Sequence, residues 1–338
     1  MRILVTGGAG YIGSHACVVL LEAGHDVTVI DNLCNSSSIA LERVQELARA
    51  PLRFVQGDIR NRGDLDCAFE GGIDAVIHFA ALKAVGESCE QPLRYFDNNI
   101  GGTIALMQAM EAHGVLRLIF SSSATVYGQP DHVPVKENAP LNVTNPYGRT
   151  KLVIEQLIHD WCAAHPEVSA VLLRYFNPVG AHPSGRIGED PRGEPNNLMP
   201  YIAQVAVGRR EFLQVFGADY PTPDGTGIRD YLHVMDLAEA HLRAVEYAAV
   251  HAGCEVFNLG TGRGYSVREM VAAFEAAARR TIPCQVVERR AGDVTELTAD
   301  PSRAHESLRW RAKLGLEAMC ADSWRWQSNN LSGFNDDR

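Results

Sequence analysis

Three residues in the first half of the chain have the side chains and spacing that removal of a proton from a hydroxyl group requires. Tyr147 and Lys151 stand four positions apart, and Ser123 closes the run Ser121-Ser122-Ser123 further upstream. Asn145 suits the cap of a helix and Pro146 its first position. Residues four apart on that helix share a face, so the phenol and the ammonium point the same way.

A tyrosine in this setting can serve as a general base. Its free pKa is about 10, and a nearby positive charge favours the phenolate. A decrease of roughly three units corresponds to about 4 kcal/mol, which requires a partly desolvated site. Tyr147 would then take the proton of a substrate hydroxyl while Ser123 holds the same oxygen. The Tyr-Lys spacing alone is more often a surface helix pair, so its meaning depends on what else the chain carries.

A glycine loop lies near the N-terminus, after a short apolar run and before a helical pattern. Gly7, Gly10 and Gly13 are spaced G-x-x-G-x-x-G and enclose Tyr11 and Ile12. Such glycines permit a tight turn and a close approach of backbone to a pyrophosphate. The helix that follows offers free N–H groups and the positive end of its dipole to an anion. A plain glycine-rich turn is the alternative interpretation.

Further candidate cofactor contacts stand at the ends of the next apolar runs. Asp31 follows Val29-Ile30, where a carboxylate accepts both ribose hydroxyls and repels a 2′-phosphate, which favours NAD over NADP. A strand-end Asp that caps a turn is the alternative. Asp58 and Ile59 could meet an adenine ring, and the small residues of His78-Phe79-Ala80-Ala81 would let the backbone approach the cofactor.

The elements that must position these residues predict an α/β fold, a Rossmann-type doubly wound parallel sheet. Candidate strands alternate with amphipathic helical stretches. The strands are Ile3–Thr6, Val27–Ile30, Arg53–Gln56, Ala75–Phe79, Leu118–Ser121 and Ala170–Arg174, and the helices are Gly13–Ala23, Ile39–Arg49, Gly63–Phe69, Pro92–His113 and Pro146–Ala164.

The second half of the chain has a different character. We expect an NAD-binding domain over residues 1–176 and a smaller α/β substrate domain over 177–338, with a strand at 256–259 that could rejoin the first sheet. Residues 177–230 are rich in Gly and Pro and are predicted to be loop-dominated. Helical pattern returns at Asp236–Ala249 and Val267–Ala278, and the polar tail after Trp326 is predicted to fray.

Composition excludes several classes of protein. The 338 residues are 46% hydrophobic and 21% charged, typical of a globular chain of about two domains. The formal net charge of −10 argues against general nucleic-acid binding, which needs a basic surface. No apolar run approaches a membrane span, and the N-terminus reaches its glycines too early for a signal peptide. The eight scattered cysteines indicate a reduced, cytoplasmic protein with no metal site.

Taken together, these motifs resemble the UDP-glucose (UDP-galactose) 4-epimerase family of extended short-chain dehydrogenases/reductases over residues 1 to about 326. The later motifs are the more specific ones: Leu173-Arg174-Tyr175-Phe176-Asn177-Pro178-Val179-Gly180-Ala181, Asn196-Asn197-Leu198-Met199-Pro200 and Arg229-Asp230-Tyr231-Leu232-His233-Val234. The resemblance implies that NAD stays bound through turnover. Tyr147 would remove the 4-hydroxyl proton, and a transient 4-keto sugar and bound NADH would form before hydride returns to the other face.

The resemblance also implies which residues form the site. The catalytic residues would be Ser123, Tyr147 and Lys151. NAD would contact Gly7, Gly10, Tyr11, Ile12, Gly13, Asp31, Asn32, Leu33, Cys34, Asn35, Ser36, Asp58, Ile59, Phe79, Ala80, Ala81, Lys83, Asn98, Tyr147, Lys151 and Phe176. The UDP-sugar substrate would contact Lys83, Ser123, Tyr147, Asn177, Asn197, Leu198, Phe216, Arg229, Arg290, Asp293 and Leu297.

Leu297 departs from the pattern, because some strict family members carry a bulky Tyr there. The smaller side chain would leave room for an N-acetyl group, so we expect epimerisation of UDP-N-acetylglucosamine beside UDP-glucose. The helices Pro92–His113 and Pro146–Ala164 resemble the dimer-forming pair of the family, which implies a homodimer, although their apolar faces could equally be core.

Three other functions share parts of this pattern. A sugar-nucleotide 4,6-dehydratase needs an acid and a base after the strand-five hydroxyl, where this chain has Ala124 and Thr125. A reductase that releases NADH would consume free cofactor stoichiometrically. A non-catalytic NAD-sensing regulator could dispense with the Tyr-Lys pair, so its presence with Ser123 counts against that function.

Overall fold

The computed structural model describes residues 1–193, 195, 197–290 and 293–334. Its largest element is a seven-stranded parallel sheet with the strand order β10-β6-β5-β4-β1-β2-β3. The strands are β1 (Arg2–Thr6), β2 (Asp26–Asp31), β3 (Arg53–Gln56), β4 (Ala75–His78), β5 (Arg117–Ser121), β6 (Ser169–Tyr175) and β10 (Gly253–Leu259). The predicted fold class is confirmed.

Helices cover both faces of this sheet because its strands are apolar on both sides. Along β1, Ile3 and Val5 pack into the core on one face and Leu4 into the core on the other. The helices that precede β10 in the chain and pack around the sheet are α1 (Tyr11–Glu22), α2 (Ser38–Ala48), α3 (Arg62–Phe69), α4 (Val85–Glu90), α5 (Pro92–Tyr95), α6 (Gly102–Ala112), α7 (Pro146–Ala164) and α9 (Val234–Ala248). Helices α1 and α9 pack together over the first core, and α6 and α7 contribute to the second.

The predicted helix over Pro92–His113 is interrupted in the structure. Between α5 and α6 the chain forms a π-helical segment over Phe96–Gly101. The wider turns carry Asn99, which is fully buried and hydrogen-bonds to the backbone of Leu82 and to the hydroxyl of Thr150. The π segment is short and lies between two helical stretches, so the prediction from sequence periodicity runs through it as one helix.

The second half contains more regular structure than its sequence predicts. Its remaining elements are β7 (Asn177–Val179), α8 (Leu198–Ala206), β8 (Leu213–Phe216), β9 (Ile228–His233), β11 (Gly264–Ser266), α10 (Val267–Ala278), β12 (Cys284–Val287), β13 (Glu296–Leu297), α11 (Ser302–Ser307) and α12 (Leu316–Asn329). The expectation of a loop-dominated stretch over 177–230 is therefore wrong where α8, β7, β8 and β9 form. These strands are short and pair with distant partners, so local periodicity gives little signal.

The small strands make two further sheets, one around β9 with β7, β11 and β13, and one of β8 with β12. We call the large sheet with its helices the first region, and the two small sheets with the described residues of 177–233 and 264–334 the second region. Strand β10 returns to the large sheet and lies beside β6, so the chain passes from the first region to the second and back. The division into domains at residue 177 stays a prediction.

The C-terminal tail is ordered further than the sequence suggests. Helix α12 continues to Asn329, and Phe334 is buried with its ring 4.8 Å from that of Trp326. The predicted fraying after Trp326 is wrong up to Phe334, because an aromatic contact and a bond from the Phe334 N–H to Asp190 hold the tail. None of the described helices is long and apolar enough to cross a membrane.

Candidate active site

The glycine loop between β1 and α1 forms a shallow cradle of bare backbone. A Cβ at Gly13 would lie 2.3 Å from the carbonyl oxygen of Gly7, and one at Gly7 would lie 2.7 Å from the backbone nitrogen of Ala80. Gly7 also has φ +73°, a conformation that favours glycine. Only glycine at these positions lets the ends of β1, α1 and β4 meet this closely, which leaves the N-terminal N–H groups of α1 open toward a ligand.

Asp31 lies beside this cradle at the end of β2, and its carboxylate is already held in place. It accepts hydrogen bonds from the N–H of Ala9 at 3.1 Å, the N–H of Leu33 at 2.9 Å and the hydroxyl of Ser36 at 2.8 Å. The side chain is buried, and it fixes the loop that follows β2. Within this loop, Cys34 is exposed and Asn35 accepts a bond from the N–H of Arg192.

Asp58 and Ile59 follow β3 near the same edge. The Arg60 side chain donates two hydrogen bonds to the Asp58 carboxylate, at 3.0 and 2.9 Å, and its backbone N–H donates a third at 2.9 Å. Asn32 donates a fourth at 3.0 Å. The Arg60 bonds hold the pKa of Asp58 well below its usual range. Ile59 is buried against Gly102, where a Cβ would meet its side chain at 2.6 Å. Asp58 is thus a fixed, ionised acceptor beside Asn32.

The end of β4 completes the candidate cofactor edge. His78 is hydrogen-bonded through its two ring nitrogens to Thr6 at 2.7 Å and Thr103 at 2.9 Å, and burial lowers its pKa to about 3. Thr6 in turn accepts a bond from the N–H of Ala80 at 3.3 Å. The neutral imidazole therefore fixes the turn that contains Phe79, Ala80 and Ala81. Both of its ring nitrogens are hydrogen-bonded within the protein, so the role of His78 is structural.

Tyr147 is the second residue of α7 and lies in its first turn. The Asn145 side chain accepts the N–H of Gly148 and caps the helix, and Pro146 occupies its first position, as the sequence predicts. Tyr147 is buried, which raises the pKa of its hydroxyl to about 12 although a hydrogen bond with Ser123 opposes the rise. The protein groups alone therefore do not produce the expected decrease of three units, because desolvation outweighs the neighbouring dipoles.

Ser123 is held at the end of β5 by the short 3₁₀ turn Ala124–Tyr127. Its side chain accepts bonds from the N–H of Thr125 at 3.2 Å and from the hydroxyl of Thr125 at 3.0 Å. The serine hydroxyl hydrogen is then free to point toward Tyr147. The Ser123 hydroxyl lies near enough to favour the phenolate of Tyr147, so the fold brings these two side chains together.

Lys151 lies beneath Tyr147 and does not bond to its hydroxyl. The ammonium donates to the carbonyl of Ser121 at 2.7 Å and lies 4.8 Å from the centre of the Phe120 ring and 6.0 Å from that of Tyr147. Burial lowers the pKa of Lys151 to about 7, and the charge of Glu155 opposes that decrease. The lysine thus connects the catalytic helix to the end of β5 and can carry a positive charge below the phenol.

A buried polar network that sequence reasoning missed holds this helix against β5. Glu155, four residues after Lys151, accepts the hydroxyl of Ser122 at 2.5 Å and a bidentate pair of bonds from Arg174 on β6. Arg174 also donates to the hydroxyl of Tyr127 at 3.0 Å, and Tyr127 donates to Asn258 on β10. Two features of the sequence could have indicated this network. Glu155 shares a helix face with Lys151, and Arg174 lies inside an apolar strand.

The substrate residues expected from the resemblance lie mainly on the second region. Asn177 opens β7 and pairs in register with Tyr231, and Leu198 begins α8. Arg229 on β9 donates to the carbonyl of Ile228 at 2.8 Å. Leu297 on β13 is buried in an apolar cluster with Phe176.

Two expected substrate residues already pair with each other. Arg290 donates to the carboxylate of Asp293 at 3.0 Å, and its guanidinium lies 4.6 Å from the centre of the Phe216 ring. The Arg290 side chain is 54% exposed. This cluster presents a cation, a carboxylate and an aromatic ring to one small region, which suits a base, its ribose and a diphosphate.

Glu189, a residue that the sequence did not single out, joins the two regions. Its carboxylate accepts bonds from Lys83 at 3.1 Å and from Asn197 at 2.8 Å.

Asn98, another residue expected to contact the cofactor, lies in the π segment and donates to Asn99 at 2.9 Å. The motif residue Asn196 lies outside the described residues. Within the described ranges, no cluster of three or more His, Cys, Asp or Glu side chains could hold a metal ion.

Comparisons with known proteins agree on one family. Residues 3–260 match the model of the NAD dependent epimerase/dehydratase family. UDP-glucose 4-epimerase of Bacillus subtilis is 58% identical over 335 residues, 99% of each chain, and that of Mus musculus is 56% identical over 341 residues, 98% of each chain.

Solved structures give the same result. The UDP-glucose-4-epimerase of Stenotrophomonas maltophila with bound NAD and formylated UDP-arabinopyranose superposes with a TM-score of 0.96 at 52% identity, covering 98% of this chain and 99% of that one. The Bifidobacterium longum enzyme in complex with NAD⁺ and UDP has a TM-score of 0.96 at 49% identity, covering 98% and 100%.

Proposed function

Since the chain belongs to the NAD dependent epimerase/dehydratase family, we propose that it is an isomerase that interconverts UDP-galactose and UDP-glucose with a tightly bound NAD. The observation that carries this proposal is that Ser123, after the end of β5, and Tyr147, at the start of α7, are both buried beside each other. Strand β4 alone separates β5 from β1, so the pair faces the same sheet edge as the glycine cradle.

The residues at this edge fit an NAD molecule. The cradle of Gly7 and Gly13, which any Cβ would fill, suits a pyrophosphate, and the buried Asp31 carboxylate suits the ribose hydroxyls. When bound, NAD supplies a reversible two-electron exchange with C4 of the sugar. The remaining contacts that we propose come from the loop after β2, from Ile59 and Asp58, from the turn after β4, and from Lys83, Asn98 and Phe176.

Tyr147 is proposed to move the proton of the sugar 4-hydroxyl. Burial alone favours the neutral phenol, so the base must be the phenolate, which a protonated Lys151 below the ring stabilises and which the positive charge of bound NAD⁺ would stabilise further. This phenolate accepts the proton of the 4-hydroxyl and becomes the neutral phenol. Ser123 hydrogen-bonds to the same substrate oxygen and keeps it in line with Tyr147. The tyrosine returns the proton to the 4-oxygen when the sugar carbon is reduced again, so no proton is lost in a cycle.

The second region is proposed to hold the uridine diphosphate and leave the sugar free to turn over. Arg229 and Arg290 would pair with the diphosphate, whose charges match a guanidinium. Phe216 would lie by the uracil and Asp293 by its ribose, with Asn177, Asn197 and Leu198 completing the site. A nucleotide held at one end and a sugar held loosely at the other allow both faces of C4 to reach the same cofactor.

A dehydratase is disfavoured by the turn after β5. Its acid and base would stand at Ala124 and Thr125, but Ala124 has no polar group and the Thr125 hydroxyl donates to Ser123. No second function is supported by a feature of the described site.

Three finer points extend the proposal. Leu297 leaves room for an N-acetyl group, so UDP-N-acetylglucosamine and UDP-N-acetylgalactosamine would also be substrates. The α5–α6 and α7 helices would form a homodimer, a view supported by Leu93, whose side chain is 80% exposed. A cytoplasmic location is supported by eight cysteines that are all free thiols.

Incubation of the purified protein with UDP-galactose, without added cofactor, tests the proposal. UDP-glucose should form, and nicotinamide dinucleotide should be found in the denatured protein at about one per chain, as the resemblance to the epimerases implies. Turnover only when NAD⁺ is added, with NADH released in proportion to the sugar oxidised, would indicate the alternative enzyme that releases NADH in each cycle. Absence of both turnover and bound dinucleotide would overturn the proposal.

A further inference from the structure

A short segment of the second region crosses the proposed NAD site. We define the strap as residues Arg186–Arg192. Its first residue contacts α2 and its last residue contacts the loop after β2, whereas its middle contacts Lys83 beyond β4. Strand β1 lies between β2 and β4 in the sheet, so the strap passes over the glycine cradle at the end of β1.

The N-terminal end of the strap is fixed to α2. The carbonyl of Arg186 accepts a bond from the buried Arg43 at 2.8 Å, and the Arg186 side chain pairs with Glu46 at 2.6 Å. Gly188 then lies against the Trp326 ring, where a Cβ would be 2.3 Å from a ring carbon, and the Trp326 N–H donates to the Glu189 carbonyl at 3.2 Å. The strap therefore rests on α12 and has little freedom at this end.

The other contacts reach residues expected to bind NAD. Arg192 donates to the carbonyl of Ser36 at 2.7 Å, and its N–H donates to the side chain of Asn35 at 3.3 Å. Glu189 accepts from Lys83 at 3.1 Å and has a side chain only 10% exposed. Burial and, after it, the Glu189 charge raise the pKa of Tyr11, which places this carboxylate near the start of α1.

These contacts close the cradle from above with groups that belong to the second region. We propose that the strap is a latch that keeps NAD in its site between turnovers, with Glu189 and Arg192 as its two fastening residues. This inference rests on the proposed function, because an epimerase must reoxidise the same NADH that it forms. Glu189 and Arg192 act through Lys83 and through the loop after β2, so both are positioning residues.

Retention of NAD gives a direct test that does not depend on activity. Glu189→Gln removes the charge that holds Lys83, and Arg192→Ala removes the side-chain bond to Ser36. Purified holoenzymes are incubated with excess isotopically labelled NAD, and the label bound to the protein is followed over time. Each variant should exchange NAD about tenfold faster than the parent, because a hydrogen bond to a charged group is lost. Arg243→Ala, which removes two surface ion pairs on α9, should leave exchange unchanged.

A second readout separates a latch from a general loss of structure. With saturating NAD supplied, kcat of Arg192→Ala, whose contacts are confined to the loop after β2, should stay within about twofold of the parent while activity becomes dependent on added NAD. Arg192→Lys should restore slow exchange in part, since its ammonium still reaches the Ser36 carbonyl. Exchange as slow as that of the parent in both variants would overturn the latch and leave the epimerase proposal intact. A parent protein without NAD and without activity would instead overturn the proposed function itself.

Discussion

The proposed cofactor edge and the proposed substrate face are built from different parts of the chain. The cofactor edge consists of backbone and short side chains at the ends of β1, β2 and β4, fixed by glycine sterics and by the bonded carboxylate of Asp31. The substrate face consists of long side chains on short strands and loops, and Arg290 and Asp293 there satisfy each other. The groups of the cofactor edge are in place before a ligand binds. On the substrate face, Arg290 must exchange its bond with Asp293 for one with the ligand.

This difference matches the two ligands of the proposed epimerase, a cofactor that stays bound and a substrate that binds and leaves in each cycle. A preformed cradle pays little ordering entropy on binding, so it can hold NAD through many cycles. An exposed ion pair is worth at most about 1 kcal/mol, so Arg290 can leave Asp293 for a phosphate at small cost. Substitutions on the two sides should therefore separate NAD retention from substrate affinity.

Tyr147→Phe, where the two regions meet, should have the largest effect. The ring stays in place but the hydroxyl that moves the proton is lost, so turnover should fall by about 10²- to 10⁴-fold. Bound NAD and the affinity for UDP should be nearly unchanged, as measured by dinucleotide content and calorimetry. Tyr247→Phe, on α9 and stacked on His251, is the matched control and should keep full activity. An active Tyr147→Phe variant would contradict the role assigned to this residue.

Gly13→Ala should damage the cofactor edge selectively. Its Cβ would lie 2.3 Å from the Gly7 carbonyl oxygen, so the loop must shift and the phosphate cradle is filled. We expect NAD affinity to fall by about 100-fold, the equivalent of roughly 3 kcal/mol. Gly86→Ala, where the added Cβ meets nothing within 4 Å, serves as control. Full NAD content in Gly13→Ala after dialysis would show that the cradle is not the phosphate site.

Arg290→Ala should affect the substrate face alone. The loss of a charged bond to the diphosphate should raise KM for UDP-galactose between about 10- and 100-fold, with NAD content unaltered. Arg289→Ala is a close control, because the neighbouring arginine pairs with Asp219 and lies over Tyr220. Equal effects of the two substitutions on KM would break the proposed distinction between them.

Leu297→Tyr should give the smallest change and refine the sugar end of the substrate face. A bulky ring in the buried cluster with Phe176 would take the room proposed for an N-acetyl group. The ratio of kcat/KM for UDP-N-acetylglucosamine to that for UDP-glucose should fall roughly tenfold. Leu297→Met, with a similar volume, should preserve the ratio. If the parent does not turn over the acetylated sugar at all, the proposed breadth is wrong.

The sequence predicts the cofactor edge better than the substrate face, and the reason is physical. Asp31, the glycines and Tyr147 stand directly after strands or inside a capped helix, so short-range spacing determines their positions. Arg229 and Arg290 lie on strands and loops whose partners are far away in the chain, and only the resemblance to a family singled them out.

Two further features needed three-dimensional information. The Glu155–Arg174 pair is invisible to periodicity because each residue lies in an element whose apolar pattern is otherwise regular, and only the fold brings them together. Glu189 lies in a Gly- and Pro-rich stretch, where its contact with Lys83 bridges 106 positions. Burial of Tyr147, which raises the pKa of its hydroxyl, was a third such feature, since the sequence does not give the degree of burial.

The central claim is that one resident NAD oxidises and then reduces the same sugar. Its most direct test mixes UDP-galactose carrying deuterium at C4 with UDP-galactose labelled by carbon-13 in the uracil, in ordinary water without added cofactor. The account predicts UDP-glucose in which deuterium remains at C4 and never appears on a molecule with a labelled uracil. Loss of deuterium to water, or its transfer between the two labelled populations, would contradict the account.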